Sequence, residues 1–101
     1  MIRVEAWIRP HQIDAMKAAL RDAGASGVTA SDVTVLSSAA GGVRGSCTKL
    51  EAVVHDERVE RVLQELQRAS RPAGGGCEVW LTRVEQAVRI RTGEIDEAAI
   101  W

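Results

Sequence analysis

Ile2-Arg3-Val4-Glu5-Ala6-Trp7-Ile8-Arg9-Pro10 decides the fold, because it alternates without a break. Ile2, Val4, Ala6 and Ile8 point one way; Arg3, Glu5, Trp7 and Arg9 point the other. A period of two over this length marks a strand with one buried face. Pro10 ends the strand and can open a helix, where its missing N–H costs nothing. From His11 to Ala23, Ile13, Met16, Leu20 and Ala23 recur at spacings of three and four, with Ala19 on the same face. That spacing predicts an amphipathic helix. Asp14 suits the positive end of its dipole, and Gly24 is placed as the C-terminal cap.

Working outward, Val28 to Leu36 is rich in β-branched residues and reads as a second strand. Residues 37–46, Ser-Ser-Ala-Ala-Gly-Gly-Val-Arg-Gly-Ser, have almost nothing to bury and read as a mobile loop. Lys49 to His55 alternates again, with Leu50, Ala52 and Val54 on one face. Asp56 suits the N-cap of a second helix carrying Val59, Val62, Leu63, Leu66 and Ala69 on one stripe. Pro72 and Gly74-Gly75-Gly76 stop it, and Glu78 to Val84 reads as a fourth strand. A polar tail follows, then a short extension from Ile95 to Trp101. The order β-α-β-β-α-β predicts an α+β, ferredoxin-like fold: an antiparallel sheet with two helices on one face. The other face would carry Arg3, Glu5, Trp7, Lys49, Glu51, Val53, Trp80 and Thr82. Trp7, Val53 and Trp80 would then form an apolar patch on a monomer, which an oligomer would cover.

Composition bounds the function. The chain has 101 residues, enough for one domain over 1–101. Thirteen basic and fourteen acidic residues give a net charge of −1, which disfavours a general nucleic-acid binder. There are three Trp and no Tyr or Phe, so aliphatic residues must fill the core. Cys47 and Cys77 form neither a disulfide framework nor a metal knuckle, and they read as reduced thiols. With two scattered histidines, no metal site is expected; His11 and His55 read as boundary residues. No secretory leader or membrane-spanning run is apparent, so a cytoplasmic location is expected.

Three segments could carry chemistry. Gly74-Gly75-Gly76 offers free backbone N–H groups for a phosphate nest, though three glycines alone more often make a flexible connection. Arg89 and Arg91, read as alternate residues of an extended segment, would send both guanidiniums towards one anion. The loop 37–46 is the third.

Val88-Arg89-Ile90-Arg91-Thr92-Gly93-Glu94, followed by Asp96-Glu97-Ala98-Ala99-Ile100, closely resembles the C-terminal signature of the P-II signal-transduction family. The opening strand is similar too, as are Ile13-Asp14, Ala19-Leu20, Gly24, Gly27-Val28-Thr29, Glu51, Val53-Val54 and Asp56. The resemblance covers the whole chain except the middle loop. It implies a homotrimer whose sheets face inward and whose inter-subunit clefts bind adenine nucleotide. By that resemblance Gly27, Val28 and Thr29 contact the adenine side, and Glu51, Ala52 and Val53 line the pocket. Gly74, Gly75 and Gly76 form a phosphate cradle within a B-loop at about 71–77. Arg89 and Arg91, in a C-terminal segment over 89–101 supplied by the neighbouring subunit, bind phosphate, and Ser37 and Ser38 sit at the base of a T-loop at about 37–46.

The departures from the family narrow the expectation. The T-loop is short, with no Tyr to modify, and Ala39 stands where a Gln usually helps to hold Mg-ATP and 2-oxoglutarate. The B-loop usually ends Asp-Gly-Lys; here the run is Gly76-Cys77-Glu78. A carboxylate in place of that Lys weakens ATP more than AMP. ADP or AMP is therefore the expected ligand, with no catalytic cofactor. These losses resemble the P-II-like branch tied to bicarbonate transporters and carboxysomes. Ser37, Ser38, Gly41, Gly42, Arg44 and Ser46 offer hydroxyls, backbone N–H groups and one guanidinium for bicarbonate. Arg44 reads equally as a solvated charge at the loop tip.

The resulting reading is a non-enzymatic sensor whose T-loop is read by a protein target, a transporter or a carbon-fixation component. Alternatives are a P-II-like regulator of metal efflux or another transporter, which Cys47 and His55 favour weakly, and a nitrogen-type P-II homologue with a reduced T-loop. An enzyme lacks a nucleophile with an adjacent base. An RNA-binding module would need stacking aromatics on the third strand, which offers Lys49, Glu51 and Val53.

Overall fold

The opening alternation becomes β1, Ile2–Ile8, which lies between two neighbours in the sheet. The computed structural model describes residues 1–25, 27–36, 43–70 and 78–100. Among these, α1 spans Ile13–Asp22, β2 Thr29–Leu36, β3 Val43–Val54, α2 Val59–Ser70 and β4 Glu78–Arg83. The sheet order is β2-β3-β1-β4, with every pair antiparallel. This is the expected ferredoxin-like arrangement, reached with several boundaries displaced and a longer third strand.

Both helices open through a 3₁₀ turn. Pro10–Gln12 precedes α1, and the Gln12 side-chain oxygen accepts the Arg9 N–H at 3.0 Å. Before α2, His55 takes the cap position of the turn Asp56–Arg58, so Asp56 is not the N-cap that its residue type suggested. Its carboxylate instead accepts from the Met1 α-ammonium at 2.6 Å and lies 3.6 Å from the Arg83 guanidinium. The hydrogen bond from the ammonium, then the two nearby positive charges, hold the Asp56 carboxyl below its ordinary value.

Gly24 caps α1 as expected. The Ala25 N–H reaches the Leu20 carbonyl at 2.9 Å and the Gly24 N–H reaches that of Arg21 at 3.0 Å. This double closure needs a left-handed residue, and Gly24 has φ +99°. Ala25 and Leu20 are both buried, which completes the apolar contact of such caps.

β3 begins at Val43, six residues before the alternation that suggested it. Leu36, Val35, Thr34 and Val33 of β2 pair with Val43, Gly45, Ser46 and Cys47. Residues 43–46, expected in the mobile loop, are therefore strand. Ladder bonds run between backbones, so a β-branched partner strand can extend a neighbour made of small residues.

One sheet face packs on the helices. Val4, Ala6 and Ile8 meet Leu50, Ala52 and Val54, with Met16, Ala19, Leu20 and Ala23 above them from α1 and Val62 and Leu66 from α2. Each fully buried large aliphatic side chain contributes about 1.5–3 kcal/mol. The other face is open and carries the residues the alternation assigned to it. Register places Glu5 directly opposite Glu51 and Trp7 opposite Lys49. The two carboxylates would repel, but Lys49 Nζ lies 3.0 Å from Glu51 and 3.9 Å from Glu5. Arg3 Nε approaches Glu5 at 3.1 Å. Lys49 also sits 5.6 Å over the Trp7 ring, which tilts against Trp80 at a centroid distance of 5.5 Å.

Candidate nucleotide cleft

An open cleft of about 540 Å³ lies where the start of β2, the end of β3 and the segment after β4 meet. Its lining is Gly27, Val28, Thr29, Glu51, Ala52, Val53, Val88, Arg89, Ile90, Ala99 and Ile100. All of Gly27, Val28, Thr29, Glu51, Ala52, Val53 and Arg89 come from the residues expected to hold a nucleotide. Antiparallel pairing explains the first two groups, since Thr29 lies directly opposite Glu51. The lining residues are mainly aliphatic, with Glu51, paired to Lys49 at 3.0 Å, and Arg89 as the charged members. Such a volume, apolar with a few polar groups, is typical of small-molecule sites.

The third wall is a short hairpin that sequence reasoning missed. Val88 bridges Ile95 in antiparallel register. The Arg89 N–H donates to the Glu94 carbonyl and the Gly93 N–H to the Arg89 carbonyl, both at 2.8 Å. Gly93 closes this loop at φ +78°. Thr92-Gly93 between Val88 and Ile95 was the available signal, but single apolar residues on each side are too short to show a period.

The hairpin separates the two arginines. Arg89 lines the cleft; its Nη1 donates to Glu94 Oε1 at 3.0 Å and its Nη2 to the Ala99 carbonyl at 3.4 Å. Arg91 sits in the turn, is exposed, and is not among the cleft's lining residues. The expectation that both would point to one side fails because the backbone between them is turned, not extended. Val88, Arg89, Ile90, Ala99 and Ile100 of the C-terminal segment share the cleft's lining with Gly27, Val28 and Thr29 of the same chain. β4 ends at Arg83 beside Ile2, which itself pairs with Val54, so the following residues start at the Val53 end of the sheet.

The remaining expected residues fall elsewhere. Ser37, Ser38, Gly41, Gly42, Gly74, Gly75 and Gly76 lie outside the described residues, as does Cys77. Arg44 lies on β3 and not in a loop. Ser46, also expected in the loop, is an exposed β3 residue beside Thr34. The chain departs towards residue 37 from Leu36, seven residues along β2 from Thr29, or about 23 Å away. Glu78, where the chain returns after residue 77, pairs with Trp7, which lies level with Lys49 and Ser31, two residues along β2 from Thr29. Its carboxylate accepts from Trp80 Nε1 at 3.3 Å.

Among the described residues, no three His, Cys, Asp or Glu side chains gather as a metal site, and no helix is long and apolar enough to cross a membrane.

A βαββαβ sheet with an open face, and a cleft at one end of its strands, defines a small domain of the ferredoxin-like class. The family model for "Nitrogen regulatory protein P-II" matches residues 1–94. Proteins of that name from Microchaete diplosiphon and Cereibacter sphaeroides are 38% and 34% identical to this chain, each over 99% of it and all of the relative. One from Bradyrhizobium diazoefficiens is 31% identical over 93% of this chain and 95% of the relative. The chain belongs to the P-II family, and is therefore a signalling regulator and not an enzyme. The first two alignments run over 112 positions against 101 residues here, so those relatives carry residues that this chain lacks.

Proposed function

We propose that this protein binds ADP or AMP in clefts between the subunits of a homotrimer, and couples that binding to bicarbonate. The loop after Leu36 would carry the result to a protein target, a transporter or a carbon-fixation component. The observation that carries the reading is the cleft at Gly27–Thr29, Glu51–Val53 and Arg89. Its aliphatic lining residues suit a flat base, and an arginine at its wall suits a phosphate. Assembly is supported by the split of the expected ligands. In sequence Ser37 and Ser38 follow Leu36, which ends β2 about 23 Å from Thr29, whereas Arg89 lines the cleft at the Thr29 end. A second copy can bring its loop after Leu36 to the first copy's cleft. The preference for short phosphate tails rests on Glu78, whose charge stands where the loop 71–77 rejoins the sheet.

A second reading, a nitrogen-type P-II homologue with a reduced T-loop, is favoured by the names of the relatives. Calorimetry separates the two. AMP and ADP should each bind about fivefold tighter, or more, when bicarbonate is present, a coupling within the usual allosteric range and reciprocal by linkage. ATP should bind more weakly, and 2-oxoglutarate should change nothing. Coupling of ATP to 2-oxoglutarate, with no bicarbonate effect, would establish the nitrogen-type reading instead.

A further inference from the structure

We propose that Glu94 is a positioning residue for Arg89, fixing the direction of its guanidinium before any phosphate arrives. The inference rests on the nucleotide reading of the same cleft. The hairpin returns Glu94 beside Arg89, and Glu94 Oε1 accepts from Arg89 Nη1 at 3.0 Å. The carboxylate is itself tied down: the Thr92 hydroxyl donates to the same oxygen at 2.8 Å, and the Glu94 N–H approaches that hydroxyl at 3.4 Å. Nη2 is directed to the Ala99 carbonyl. Two acceptors on two different nitrogens define the plane of the guanidinium, which a single contact would leave free to rotate.

Glu94 is placed to orient Arg89 and not to block it. Arg89 is among the residues that line the cleft, whereas Glu94 is not. Arginine on a bare backbone has several freely rotating torsions, and ordering them on binding weakens affinity. A partner that orders the side chain in advance removes that cost from the binding step. The carboxylate's charge opposes an incoming phosphate, but the Glu94 side chain is 43% exposed and solvent screens it.

The test compares AMP with adenosine, which lacks the phosphate. Glu94→Ala should weaken AMP about tenfold and leave adenosine unchanged. Glu94→Gln keeps an acceptor in place and removes only the charge, so AMP should stay within about twofold of the parent protein. Nitrogen NMR of the Arg89 side chain, without nucleotide, should show an ordered signal in the parent and in Glu94→Gln that averages in Glu94→Ala. AMP affinity unchanged or raised in Glu94→Ala overturns the proposal, as does a parallel loss of adenosine, which would mark a structural role. An Arg89 signal unaltered in Glu94→Ala overturns the positioning while the nucleotide reading stands. A parent protein that binds neither AMP nor adenosine overturns the nucleotide reading, and the phosphate role of Glu94 with it, even if the Arg89 signal behaves as expected.

Discussion

Arg89 and Arg91 are two residues apart and end in different settings, one against the cleft and one on an exposed turn. Replacing Arg89 with Ala should therefore weaken ADP by an order of magnitude or more, and replacing Arg91 should weaken it less; titration calorimetry on both variants checks the ratio. The residue types were legible in the sequence, because guanidiniums near a glycine-bearing turn suit anions. Their separation was not, because a four-residue turn leaves no periodic signature. Asp56 carries a second prediction at this scale. Folding lowers its pKa, through the Met1 ammonium first and Arg83 after it. Its contribution is complete above the ordinary aspartate range and falls away as pH drops through that range and below. Chemical denaturation from pH 6 down to pH 2.5 should show a loss of stability in acid that is smaller in Asp56→Asn.

Elements were read well where their period was long. β1 and the buried stripes of both helices match the alternation and the three-four spacing, because burial on one face is what those patterns encode. The start of β3 was not legible. Gly45 and Ser46 have little to bury, and only the neighbouring β2 makes them strand. The cap of α1 was legible because few residues besides glycine accept its backbone angle. Gly24→Ala should cost about 1 kcal/mol for the left-handed conformation alone. A Cβ there would also approach Arg58 Nη1 to 2.9 Å, so that side chain must move. Thermal unfolding followed by circular dichroism reads the sum.

For the whole molecule, the open sheet face is the feature that asks for assembly. Glu5 is buried on that face at 8% exposure, opposite Glu51, and Lys49 bridges the pair. Removing that cation in Lys49→Met should destabilise the fold by about 1–3 kcal/mol, since two facing carboxylates lose their shared partner. Adding Glu5→Gln should recover part of the loss; urea denaturation of the single and double variants measures both. Sequence alternation placed every one of these charges on the correct face, but not the register that sets Glu5 against Glu51. The cleft was legible in the same partial way. Seven expected residues meet in it, while the hairpin that completes its wall was hidden in a tail too short to show a pattern. The most direct test of the account is calorimetric titration of ADP into the parent protein and into Arg89→Ala under one buffer. The account predicts saturable binding of one ADP per subunit that weakens at least tenfold in the variant. ADP that fails to bind, or that binds the variant as tightly as the parent, would contradict it.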